Sequence, residues 1–261
     1  MKTMYRLVAM VVVALLALSP HVHASKLDNR IESSARNSYV FKTYLQADDI
    51  KIESKDGAVT LTGTVAEESH KSLAQETVAS LPGVKSLDNK LAVKREQPAE
   101  NSDAWITAKV KTMLLFHQNV GAMTEVNTKD GIVTLQGEAN SQAQKDLTTE
   151  YVKDVEGVKS VNNEMTVSKT PKKTQAAEGE IDDASINALV KMTLLYHRST
   201  GALNTSVTTK RGVVTLSGKA KSEAERDLAA KLASDVKGVK GVNNQMTIDS
   251  PNLKLRKMMH R

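Results

Sequence analysis

One eight-residue stretch occurs three times and constrains everything around it: Asp56-Gly57-Ala58-Val59-Thr60-Leu61-Thr62-Gly63, Asp130-Gly131-Ile132-Val133-Thr134-Leu135-Gln136-Gly137, and Arg211-Gly212-Val213-Val214-Thr215-Leu216-Ser217-Gly218. A further glycine, Gly83, Gly157 or Gly238, follows each copy at the same distance of 20 residues. The same stretch recurring three times with the same following glycine marks a tandem array, so the chain is three copies of one small unit. The spacing excludes a phosphate-binding loop. Five residues separate Gly212 from Gly218, and Lys219-Ala220 follows, whereas a P-loop has four and then Lys-Ser/Thr.

Within each copy the hydrophobic period changes in a fixed order. Ile106, Val110, Met113 and Leu114, and again Ile186, Val190, Thr193 and Leu194, line one face of a helix. Ile31, Ala35, Ser38 and Tyr39 form a weaker version in the first copy. A short strand centred on Ile52, Val126 or Val207 then enters the Asp-Gly turn. These are type I′ hairpin residues, because both central positions need positive φ, which glycine reaches freely and Asp tolerates. Arg211 lacks that tolerance, so another turn type is expected in the third copy. The returning strand sends Val59 and Leu61, Val133 and Leu135, or Val214 and Leu216 to one face.

A second helix follows, opened by the capping boxes Ser141-x-x-Gln144 and Ser222-x-x-Glu225. Gly57, Gly131 and Gly212 are read as turn residues and Gly63, Gly137 and Gly218 as strand ends. Gly83, Gly157 and Gly238 stand where a left-handed helix cap is wanted. A last strand closes each copy at Val93, Val167 or Ile248.

The fold class is therefore α+β: three tandem α-β-β-α-β units, each a three-stranded mixed sheet with both helices on one face. The units span 28–93, 103–167 and 182–248, joined by polar linkers at 94–102 and 168–181. A unit of about 60 residues buries too little surface to be secure alone, so packing between the copies is expected.

Residues 1–24 combine a basic start, an apolar run and a small-x-small exit, the pattern of a secretory signal peptide cleaved after Ala24. The chain has no cysteine, hence neither disulfides nor the cysteine of a lipoprotein anchor. A periplasmic protein is expected. Losing Lys2 and Arg6 with the leader leaves 34 basic against 30 acidic residues, a modest excess. Aromatic residues make up only 3% of the chain, which argues against a stacking platform for single-stranded nucleic acid.

The α-β-β-α-β order, the D/R-G-x-V-x-L-x-G stretch and the ending Gly157-Val158-Lys159-Ser160-Val161-Asn162-Asn163-Glu164-Met165 together resemble the BON domain. That family occurs in bacterial periplasmic osmotic-stress and outer-membrane maintenance proteins. The first copy departs most, with Leu87-Asp88-Asn89 where the others have Val161-Asn162-Asn163 and Val242-Asn243-Asn244. The resemblance implies a non-enzymatic exported module without cofactors that contacts anionic phospholipid or envelope proteins. A chaperone-like holdase or assembly adaptor is the alternative.

No catalytic set stands out. His117 and His197 occupy matching places at the end of the first helix, where a basic group suits the helix dipole, and no metal-ligand spacing surrounds them. The pairs Asp48-Asp49 and Asp182-Asp183 suit caps rather than acid–base work. Trp105 precedes a core position, and its matching slots hold Arg30 and Ser185, so the shared core does not require it. Beside Lys109 and Lys111 it suits either a lipid headgroup boundary or packing against a neighbouring repeat. The tail at 249–261 contributes Lys254, Arg256 and Lys257, each worth about 1 kcal/mol near an anionic surface. These six residues are the expected contact surface.

Overall fold

The computed structural model describes residues 19–94, 98–120, 124–168, 180–200 and 205–248. The basic tail, and the leader up to residue 18, lie outside the described residues, as do Lys254, Arg256 and Lys257. Among the described residues no helix is long and apolar enough to cross a membrane.

Repeat one contains α1 (Ser19–Asn37), α2 (Tyr39–Thr43), β1 (Asp49–Lys55), β2 (Ala58–Val65), α3 (Glu68–Ala79), β3 (Ser86–Asn89) and β4 (Ala92–Val93). Repeat two contains α4 (Asp103–Phe116), β5 (Glu125–Lys129), β6 (Ile132–Gln136), β7 (Glu138–Ala139), α5 (Gln142–Lys153), β8 (Ser160–Asn163) and β9 (Thr166–Val167). Repeat three contains α6 (Asp183–Tyr196), β10 (Thr205–Lys210), β11 (Val213–Ala220), α7 (Glu223–Ser234), β12 (Gly241–Asn244) and β13 (Thr247–Ile248). In every repeat the first two strands pair antiparallel and the last returns parallel beside the second, so the unit is the expected mixed sheet.

The opening helix of repeat one is present as read, and the weakly patterned Ile31, Ala35 and Ser38 are all buried. Its irregular period has a cause: the helix stops at Ser38 and restarts. The Ser38 hydroxyl donates to the Ala35 carbonyl (2.8 Å) and accepts from the Phe41 amide (3.4 Å), capping α2.

The third turn is a correction. Arg211 adopts φ 54°, matching Asp56 at 55° and Asp130 at 54°, with a glycine at positive φ after each. An acid of the opening helix holds each of these hairpins, from the first turn of α4 and α6 and from midway along α1. Asp183 accepts from the Arg211 and Gly212 amides at 2.7 and 2.8 Å. Asp103 does the same for Asp130 and Gly131, and Asp28 for Asp56 and Gly57. Two charge-assisted hydrogen bonds offset the cost of placing arginine in the left-handed region.

The strand glycines also differ from expectation. Gly63 and Gly218 lie inside β2 and β11, and Gly137 separates β6 from β7. A side chain at Gly63, which has φ 114°, would put Cβ 2.0 Å from the Asp49 carbonyl oxygen across the ladder. Gly83, Gly157 and Gly238 lie beyond the helix caps, in the following turns closed by Val84, Val158 and Val239 amides. The last strand is broken in two. At the break, Asn89, Asn163 and Asn244 accept from the amides of Leu91, Met165 and Met246 and donate to carbonyls of Lys71, Lys145 and Arg226 in the second helix.

Ser141 and Ser222 cap α5 and α7 as read, but Gln144 and Glu225 reach the amides of Asn140 and Lys221, one residue before the cap. In repeat one, Asp48 replaces the box. It accepts from the Ala66 amide (2.7 Å) and lies 2.6 Å from His70 Nδ1.

The buried apolar residues of the three repeats form one continuous core. Its centre is α6. Every residue from Ala184 to Val190, and Met192 to Leu194, is buried, so this helix is covered over most of its surface, with Lys191 and Leu195 reaching outward. It packs against α3 of repeat one, α4 of repeat two and its own β10 and α7.

A groove where three repeats meet

The repeats join through the ends of their helices. Repeat one docks on the start of α6: Asp182 Oδ2 accepts from the Tyr39 amide (2.7 Å) and the Ser185 hydroxyl accepts from the Val40 amide (3.0 Å). Asn187 donates to the Ser80 hydroxyl, and Lys191 pairs with Glu76 at 2.8 Å. Ser185, in a slot that looked dispensable from the sequence, is fully buried.

Repeats two and three exchange contacts reciprocally. His117, ending α4, places Nδ1 3.1 Å from Asp235 at the end of α7, and His197, ending α6, places Nδ1 3.1 Å from Asp154 at the end of α5. Backbone bridges pair His117 with Val236 and His197 with Val155. The dipole reading of these histidines is therefore corrected. Both are essentially unexposed, and burial pushes the His117 imidazole below its usual range despite the opposing pull of Asp235. For Asp154, burial works upward, and the His197 and Ser199 hydrogen bonds outweigh it to give a lowered value.

The scarce aromatic residues converge on this junction. Tyr44 of repeat one meets Phe116 of repeat two edge-on at 5.8 Å, and Phe116 stacks on Tyr196 of repeat three at 6.4 Å. Burial raises the Tyr44 and Tyr196 hydroxyls far above their usual range, with Glu67 and Glu68 adding to the effect at Tyr196.

Beside the aromatic line a cleft of about 430 Å³ opens between all three repeats. Trp105, Ala108 and Thr112 of α4 form one wall, and Met192, Leu195 and Tyr196 of α6 form the other. Glu67 and Glu68 at the start of α3, with Val93 and Pro98 beyond β4, complete the rim. Trp105 is half-buried here, so the structure places it at a neighbouring repeat. Lys109 Nζ sits 3.8 Å from the centre of the Trp105 ring and 3.2 Å from Glu156, leaving its charge already partnered. Lys111 is exposed and is not part of the cleft wall. Leu195 is half-exposed on the wall, at 50%.

The sequence reading reached Trp105 and Lys109 but missed Tyr196, Leu195 and Met192. The available signal was the aromatic residue preceding each matched histidine, Phe116 and Tyr196. Among the described residues no cluster of three or more potential metal ligands exists.

The three repeats coincide with three matches to a single family model. The BON domain model matches residues 27–95, 102–169 and 182–250. The chain is similar to osmotically-inducible protein Y of Escherichia coli K12, at 37% identity over 145 residues, 55% of this chain and 71% of that protein. It is also 30% identical over 116 residues to a protein from the gshII 5' region of Anaplasma centrale, covering 43% of this chain and 77% of the other. Among solved structures, CdsD, a type III secretion structural protein of Chlamydia trachomatis, aligns over 85% of this chain and 96% of its own at 16% identity and a TM-score of 0.27. The matches cover most of the chain in three consecutive blocks, and the protein belongs to the BON-domain family.

Proposed function

We propose that the protein is an exported, non-catalytic binding protein of the bacterial envelope under osmotic stress, and that the groove between its repeats holds apolar segments of envelope proteins. The family and the osmotic induction in the name of its relative support the setting. Export rests on the leader pattern at 1–24, whose cleavage after Ala24 leaves the packed residues from Leu27 onward intact.

The observation that carries the reading is the chemistry of the groove wall. Trp105, Met192, Leu195 and Tyr196 offer an apolar, partly open surface, while the rim carries Glu67 and Glu68. Among the described residues the groove's one lining cation, Lys109, is committed to Trp105 and Glu156. This favours an unfolded or extended polypeptide with apolar side chains and a basic flank over anionic lipid. The lipid surface remains the second arm, supported by exposed Lys111 and by Lys254, Arg256 and Lys257 in the sequence.

The test is suppression of aggregation of an unfolded outer-membrane client by the mature chain. Leu195→Asp, at a half-exposed wall position, is expected to abolish suppression while leaving the circular dichroism unchanged. Unchanged suppression by this variant overturns the groove as the working surface. Salt-sensitive sedimentation with phosphatidylglycerol vesicles, without client protection, transfers the function to the lipid arm.

A further inference from the structure

We propose that His117 and His197 form a proton-operated latch between repeats two and three, closed when both imidazoles are neutral and loosened when they are protonated. The latch controls both walls of the groove, since α4 and α6 each end at one of these histidines, His197 directly after Leu195 and Tyr196 and His117 five residues after Thr112. Its consequence for binding rests on the groove reading above. The latch itself does not.

The geometry has three parts. Each ring uses Nδ1 on a carboxylate of the other repeat, at 3.1 Å, so a neutral imidazole is satisfied there as an N–H donor. Each Nε2 is buried and has no hydrogen-bond partner. Protonation places a new N–H on that atom with no acceptor within reach, which carries the penalty of an unpaired buried donor. Lastly, the two rings lie 5.7 Å apart, with Tyr151 against both at 4.3 and 5.6 Å, so two imidazolium charges would repel across a short gap.

The surrounding charges do not reverse this. Asp235 favours the cation at His117, but it also accepts from Asn119 Nδ2, and Lys237 acts against the cation from the same segment. On the other side Asp154 is shared among His197, Ser199 and, at 3.7 Å, Arg198. Glu150, Lys153, Arg198 and Lys231 join Asp154 around the pocket beside His197, three bases against two acids. In repeat one the matching slots hold Lys42 and Ser80, so the first repeat has no such latch.

The chain's single tryptophan, Trp105, lies in the groove at the opposite end of α4 from His117 and reports movement of that helix. The full mature chain is titrated from about pH 8 to about pH 5 while acrylamide quenching of Trp105 is followed against far-ultraviolet circular dichroism. Quenching is expected to rise several-fold with a midpoint below 6.5, the ordinary histidine value, while helix content holds. The double variant His117→Gln, His197→Gln keeps an N–H donor for each carboxylate and is expected to give a flat profile, whereas His70→Gln retains the transition. No rise in the wild type, or a rise that persists in the double variant, overturns the latch. Should the double variant not fold, imidazole proton resonances of the wild type decide. His117 titrating below 6.5 in step with the quenching supports the proposal, and titration at or above 6.5 overturns it. No client enters these measurements, so failure of the latch and failure of the groove reading are told apart.

Discussion

Arg211 carries a residue-scale lesson. Its φ of 54° is set by Asp183 and not by its own preference. Replacing it with Asn, which tolerates that region, is expected to raise stability by roughly 0.5–1 kcal/mol in denaturant unfolding. Asp183→Ala, which orphans both turn amides, is expected to cost about 2 kcal/mol. The equivalent acids give the fold an acid dependence. The Ser54 hydroxyl and the Gly57 amide lower the Asp28 carboxyl, and the Gly131 and Asp130 amides lower that of Asp103. Their stabilisation is fully present above the unfolded carboxyl value of 3.8 and is lost as pH falls through the lower folded values. His117 works in a higher window. Its folded value lies below 6.5, so its contribution is intact above 6.5 and declines as pH falls beneath it. Denaturant midpoints measured against pH are thus expected to fall in two steps, the upper one absent in His117→Gln. The acids were visible in the sequence as Asp28, Asp103 and Asp183, but nothing in their spacing named the turn amides as partners, because those lie 27 to 29 residues away.

Helices four and six show what an element inherits from its place. They occupy the same slot in adjacent repeats, and both opening faces were legible from the 3.6-residue period. Lys109 of α4 nevertheless matches Leu189 of α6, which is fully buried, and half-buried Trp105 matches buried Ser185. The difference lies in what packs outside the repeat: α3 and α4 both cover α6. Leu189→Ala is expected to cost 2–5 kcal/mol, as roughly expected for a core truncation. Lys109→Leu is expected to change stability by about 1 kcal/mol or less, since the ion pair with exposed Glu156 and the contact with the half-buried Trp105 ring are each small terms and the new apolar side chain keeps packing on that ring. Paired thermal melts check both. The interrupted first helix of repeat one belongs to the same class of effect, since Ser38 breaks it where Tyr39 and Val40 present their amides to Asp182 and Ser185.

At the scale of the whole molecule, one core runs through three repeats and α6 lies at its centre. The full chain is therefore expected to melt in a single calorimetric transition, and residues 180–248 expressed alone are expected to remain largely unfolded. Three independent transitions in the full chain would count against a shared core. The sequence by itself determined the repeat, the α-β-β-α-β unit, its turn glycines and its family, because these depend on local period and backbone geometry within about 65 residues. Only the tertiary structure decided which helix lies at the centre, that His117 and His197 cross to partner Asp235 and Asp154, and that Trp105 faces a groove. Those features depend on contacts between residues 43 to 145 positions apart, which packing selects and no local pattern encodes.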